Sequence, residues 1–114
     1  MGMDARVDIW VGAKLESGVD VNDIVTLSDE QKQELEEEGE VSADGMTIRL
    51  FSSCDERVGF GVELFSHDWD GGVVELDLIK LACDADKLIE RVGKIFREWG
   101  YEKKPEVLLM TDFS

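Results

Sequence analysis

Basic residues are scarce in this 114-residue sequence. Twelve lysines and arginines stand against 27 aspartates and glutamates, which gives a formal net charge of −15 at pH 7. A protein that binds nucleic acid needs a cationic face to neutralise phosphates, and an anionic bilayer also attracts basic segments. The charge balance therefore predicts no nucleic-acid partner and no membrane partner.

Proline and cysteine are also rare, with one proline and two cysteines. Two cysteines cannot make a disulfide scaffold, so we expect a reducing, cytoplasmic location with Cys54 and Cys83 as inert thiols. No apolar run approaches the ~18 residues that span a bilayer, and the first ten residues lack the apolar core of a secretory signal. The length fits one domain over residues 1–114.

Alternation of apolar and polar residues predicts most of the strands. The first runs from Val7 to Leu15, and a meander follows over residues 46–52, 58–65 and 73–78. The apolar run over residues 107–110 predicts a fifth strand. Since this run is apolar on both sides, we expect it to be central in the sheet.

The third meander strand has an alternative interpretation. Residues 73–81 could instead begin the next helix, because short apolar runs fit both structures. Strict alternation after the Gly71-Gly72 pair favours a strand, and Asp70-Gly71 is a typical hairpin turn.

Two helices complete the predicted fold. Ser28 and Gln31 have the spacing of a capping box, and Gly39 is a natural end for the helix that Ser28 begins. Asp84 or Asp86 begins the second helix, which has a broad apolar face. The prediction is an α+β domain with a single mixed or antiparallel sheet of about five strands and two helices on one face, in the order β-α-β-β-β-α-β.

Sequence motifs for catalysis are weak. His67 is the one histidine. In a strand its side chain points to the face opposite that of its neighbours Ser66 and Asp68, so the three residues do not converge on a substrate. The predicted meander places Cys54 and Cys83 at the end of the sheet away from His67. Neither thiol can then form a catalytic dyad with this histidine. His67 and Asp70 could still centre a small metal-dependent or hydrolytic enzyme, and this is the alternative to a binding function. Otherwise we expect His67 to be a hairpin residue, and no cofactor.

The sheet face away from the helices is expected to carry large apolar residues. They are Trp10, Phe51, Phe65 and Val73. We expect Trp10 or Phe65 to cover Gly59 and Gly61, which leave room for a neighbouring side chain. Exposed aromatic rings on this outer face could mark an interface, including that of a structural homodimer of unknown role.

The negative charge is unevenly distributed. Residues 28–44 contain eight acids and one lysine, whereas residues 87–114 contain six bases and five acids. A concentrated negative field steers a basic protein into contact, although acidity also serves solubility alone. The leading hypothesis is a non-enzymatic protein-binding module. Its partner would be a basic protein such as a nuclease or DNA-binding protein, which the module would engage as an inhibitor or immunity-type protein. The predicted binding residues are Glu34, Glu36, Glu37, Glu38, Glu40, Asp68 and Asp70, with Trp10 or Trp69 as an aromatic anchor.

Overall fold

A computed structural model describes residues 5–16, 18–53, 56–69 and 75–113, which form five strands and three helices. In chain order these are β1 (Ala5–Lys14), α1 (Val21–Ile24), α2 (Asp29–Glu38), β2 (Glu40–Ala43), β3 (Met46–Ser53), β4 (Glu56–Trp69), α3 (Leu78–Glu98) and β5 (Glu106–Phe113). The predicted α+β class and the single sheet are confirmed.

The sheet is antiparallel throughout, with the strand order β2-β3-β4-β1-β5. β1 pairs with β4 on one side and with β5 on the other, so the first predicted strand lies inside the sheet. β2 and β5 are the two edge strands. The prediction that the last strand is central is therefore wrong. Its apolar run reflects two half-buried residues on one face, Leu108 and Met110, and two exposed residues on the other, Val107 and Leu109.

A bulge shifts the register between β1 and β4. Ile9 pairs with Phe65 and Trp10 pairs with Glu63, so Leu64 is the extra residue. Paired residues point to the same face of a sheet. Phe65 therefore lies on the face of Ile9, and its expected position on the outer face beside Trp10 is wrong.

The core lies between the sheet and α3. Val92, Ile95 and Phe96 of α3 have no exposed surface, and the Phe96 ring centroid lies 5.2 Å from that of Phe60 on β4. Tyr101 packs edge-on against both rings. Burial of each large side chain of this kind stabilises the fold by about 1.5–3 kcal/mol. The segment before α2 adds three buried residues to the cluster: Val21, Val25 and Leu27.

Helix α2 begins and ends where its sequence predicts. Ser28 Oγ accepts a hydrogen bond from the Gln31 amide, and Gln31 Oε1 accepts one from the Ser28 amide. Gly39 ends the helix with a φ of 71°, which an L side chain rarely adopts. Leu35 is the one buried residue of this helix, so α2 attaches to the core along a narrow contact.

Helix α3 begins earlier than predicted. The prediction of a strand over residues 73–78 is wrong for residues 75–78, the part that the structure describes. Residues 75–77 are irregular, and the side chain of Asp77 accepts a hydrogen bond from the Lys80 amide at 3.1 Å, which caps the helix. The helical spacing of apolar residues continues back from Ala85 to Leu78, and this periodicity prevails over the short alternation. No helix among the described residues is long and apolar enough to cross a bilayer.

The third strand of the meander is β2, which was not predicted from the sequence. β2 is four residues long, pairs with β3, and has one buried residue, Val41. So short a segment carries too little alternation to be recognised. The predicted turn at Asp70-Gly71 and residue Cys54 lie outside the described residues.

Candidate interaction surfaces

The acidic surface of α2 is formed by four exposed glutamates. They are Glu34, Glu36, Glu37 and Glu38. Among the ion pairs of the described residues, none involves any of these four carboxylates. Their one hydrogen bond to a side chain in the same part of the chain runs from Gln33 Nε2 to Glu37 Oε1 at 3.0 Å. These carboxylates therefore face solvent with almost no internal partner.

The position of these acids opposes the electrostatics of the helix. The C-terminal end of a helix carries a partial negative charge and favours basic residues. The last turn of α2 has no basic residue and contains Glu36, Glu37 and Glu38. Glu34 and Glu38 are also four residues apart, a spacing at which like charges repel. The acidic surface of α2 thus costs helix stability.

Glu40 differs from the four helix glutamates, although the sequence grouped it with them. It lies on β2 opposite Arg49 of β3, and its Oε2 accepts a hydrogen bond from Arg49 Nε at 2.8 Å. Arg49 also approaches Glu63 of β4 to 4.0 Å. Glu40 is therefore neutralised within the sheet, and it does not belong to the free acidic surface.

A second group of charges continues across the same sheet face. Arg6 lies 3.0 Å from Asp8 and 3.9 Å from Glu63, and it also donates to the hydroxyl of Ser66. Asp8 is 2% exposed, so its carboxylate depends on the Arg6 guanidinium for compensation. The hydrogen bond and charge of Asp8 raise the pKa of Arg6. This network extends over four strands, and its charged side chains form ion pairs with one another.

The proposed aromatic anchor Trp10 is not on the surface. Its ring is 5% exposed and stacks on Phe51, which is 6% exposed, with centroids 4.6 Å apart. Phe51, rather than Trp10 or Phe65, covers Gly59. Trp10 is therefore a packing residue and cannot anchor a partner. The homodimer hypothesis depended on exposed aromatic rings on the outer sheet face, but the rings of Trp10 and Phe51 are buried.

The remaining predicted binding residues lie apart from α2. Asp68 is exposed near the end of β4, in register with Arg6 of β1. Helix α2 packs on β2, at the edge of the sheet two strands away from β4. Asp70 and the side chain of Trp69 lie outside what the structure describes. The structure brings Glu34 together with Glu36–Glu38 and separates Asp68 from them.

The residues of the enzyme alternative do not form a recognisable site within the described ranges. His67 is a half-buried residue inside β4, and its ring stacks on that of Phe65 with centroids 6.4 Å apart. Cys83 is an exposed residue of α3 and does not end a strand. No group of three or more His, Cys, Asp or Glu side chains in the described part of the chain could hold a metal ion.

Exposed apolar side chains at the opposite edge of the sheet were not predicted from the sequence. The most exposed large apolar residues of the described chain are Val107 and Leu109 of the edge strand β5 and, around the start of α3, Leu76, Leu78 and Ile79. Leu78 and Val107 line one groove of about 520 Å³ between α3 and the sheet. The apolar run in β5 was visible in the sequence, but only the strand order shows that it lies at an edge.

No family model, curated protein or solved structure matches the chain.

Proposed function

We propose that the chain is a protein-binding module that engages a basic protein through Glu34 and Glu36–Glu38 of α2. An inhibitor or immunity-type protein that blocks a nuclease or DNA-binding protein would work in this way. The observation that carries the proposal is the exposure of these four carboxylates, none of which forms an ion pair within the described part of the chain.

The acids in the last turn of α2 lower the stability of the helix, and this loss supports a role in binding over a role in solubility alone. Net charge keeps a protein soluble wherever the charge lies. Acids at the N-terminal end of a helix would add the same charge and also stabilise the helix. The first turn of α3 contains no acid, whereas the last turn of α2 contains three. Local rules of stability are broken most often at functional sites.

The narrow attachment of α2 fits the same function. Only Leu35 of this helix is buried, so the rest of its surface remains available to a partner. Carboxylates on one short helix form a dense negative field that accelerates encounter with a cationic surface. The partner expected from this chemistry is a protein whose own active surface is basic, because that surface is built to bind phosphates.

A pull-down from cell lysate with charge-matched variants tests the proposal. The immobilised wild-type protein is compared with E36Q/E37Q/E38Q and with the control E90Q/E98Q/E102Q, whose acids are exposed on α3 and just after it. Both variants change the net charge by the same amount. Wild type and control should retain a basic protein that is released when salt rises from about 0.05 to 0.5 M, since screening weakens such contacts. The α2 variant should lose it.

Two outcomes would reject the proposed site. Equal loss in both triple variants would show that only the total charge matters. Retention by the α2 variant would show that the partner binds elsewhere.

A further inference from the structure

The edge strand β5 lacks the usual protection against pairing with another strand. It is eight residues long and apolar from Val107 to Met110, and its ladder with β1 has no bulge. Natural edge strands are usually short, charged in the middle, or bent by a bulge or proline. The other edge strand, β2, has only four residues and exposes Ser42. No described strand pairs with the outer side of β5.

Exposed apolar side chains accompany this open edge. Val107 and Leu109 are 50% and 67% exposed, and Leu78 at the start of α3, which lines a groove together with Val107, is 68% exposed. Val107 and Leu109 pair with Val11 and Ile9 of β1, so they lie on the sheet face that α3 covers. An apolar patch beside an open edge favours a partner that adds a strand to the edge and at the same time buries the patch.

We propose that the partner is a second copy of this chain, and that two β5 strands pair antiparallel to give a continuous ten-stranded sheet. A two-fold axis perpendicular to the sheet relates the copies, so α3 lies on the same side in both. In such a two-fold interface both copies use the same surface, so only the register of the two β5 strands remains to be determined.

The sequence of β5 favours one register. With Leu108 opposite Leu108 of the second copy, Val107 faces Leu109, so four exposed apolar side chains are buried in two pairs. Glu106 then faces Met110. A shift that places Leu109 opposite itself would set Glu106 against position 112, an aspartate. Like charges directly opposite destabilise a sheet, so the Leu108-centred register is the better one.

The charges at the two ends of β5 favour antiparallel self-association. The chain carries −15, but residues 87–114 have six bases and five acids. Lys103 and Lys104 precede β5, and Asp112 lies near its end. Antiparallel pairing brings the basic start of one strand near the acidic end of the other, whereas parallel pairing would not. The acidic α2 packs on β2 at the far edge of the sheet.

Analytical ultracentrifugation of the full chain, from about 1 to 500 µM, tests the proposal over the usual range of weak and moderate affinities. We expect a monomer–dimer equilibrium that persists in 0.5 M salt, because apolar contacts are not screened. L109K should raise the dimer dissociation constant roughly tenfold or more, since each dimer loses two buried leucines. S42K adds the same charge on the other edge strand and should leave the equilibrium unchanged.

A monomer at every concentration would overturn the proposal, and so would a dimer that S42K disrupts and L109K does not. Circular dichroism checks that each variant is folded. If L109K is unfolded, V107K replaces it, and a dimer unaffected by V107K rejects the interface.

Discussion

The indole of Trp10 stacks on the phenyl ring of Phe51 across an intervening strand, with ring centroids 4.6 Å apart. Trp10 lies on β1 and Phe51 on β3, and β4 runs between them. Neighbouring strands are about 4.8 Å apart, so the rings can meet only if β4 carries no side chain below them. Gly59 provides that space: a Cβ there would clash with the Phe51 ring and lie 2.7 Å from the carbonyl oxygen of Ala13.

The substitution G59A should therefore destabilise the protein. The added methyl group forces the Phe51 ring away from Trp10, and overpacking of this kind costs about 1–3 kcal/mol. Urea unfolding measures the loss. Gly93→Ala is the control, because a Cβ at that position of α3 meets Pro105 at an ordinary 3.6 Å. If G59A is as stable as Gly93→Ala, the stack does not depend on that glycine.

The pair of Arg6 and Asp8 should show strong coupling. R6M leaves the buried Asp8 carboxylate without its guanidinium partner, and we expect a loss of about 1–3 kcal/mol in the free energy of unfolding. D8L removes the charge that needs compensation. In the double variant R6M/D8L the loss should be clearly smaller than the sum of the single losses. Additive losses in the double-mutant cycle would show that Asp8 draws its compensation from elsewhere.

Alkaline pH should destabilise the protein through Tyr101. Burial, and secondarily the charge of Glu106, raise the pKa of this phenol. A raised pKa in the folded state means that the stabilising contribution is complete below the unfolded value of about 10 and is lost as the pH rises through the folded value. The Tm of the wild type should therefore fall above pH 10. Y101F keeps the ring contacts with Phe60 and Phe96 and should fall less steeply, whereas parallel curves for the two proteins would exclude Tyr101.

Charge neutralisation should have opposite effects at the two ends of α2. Asp29 and Glu30 lie in the first turn, where negative charge is favourable, and Glu36–Glu38 lie in the last turn, where it is not. D29N/E30Q should lower the free energy of unfolding, and E36Q/E37Q/E38Q should raise it by about 1 kcal/mol. Chemical denaturation at low salt measures both. Effects of the same sign would mean that total charge, not its position along the helix, decides stability.

Local signals in the sequence predicted local structure well. The capping box at Ser28, the end of α2 at Gly39 and the strand that alternation predicts at β1 each depend on neighbours in the chain, and all three are confirmed. The start of α3 was wrong because residues 73–78 satisfy both periodicities, and only packing against the sheet decides between them. β2 was missed because four residues carry too weak a pattern.

Surface properties depended on long-range geometry and were harder to predict. The exposure of the glutamates on α2 follows from their number and their helix, so that surface was predictable. The burial of Trp10 depends on Phe51 of β3 and Gly59 of β4, and the position of Phe65 depends on a bulge against β1. The open edge at β5 depends on the order of all five strands. No sequence window contains these relationships.

Binding of a labelled oligolysine peptide tests the central claim most directly, because it isolates the capture of positive charge by the end of α2. Titrations at about 20 and 500 mM salt compare wild type, E36Q/E37Q/E38Q and the charge-matched E90Q/E98Q/E102Q. We expect the α2 variant to be more stable than wild type and to bind the peptide at least several-fold more weakly at low salt, with the control close to wild type. Equal affinities of the two triple variants would contradict the claim that these glutamates form the binding surface.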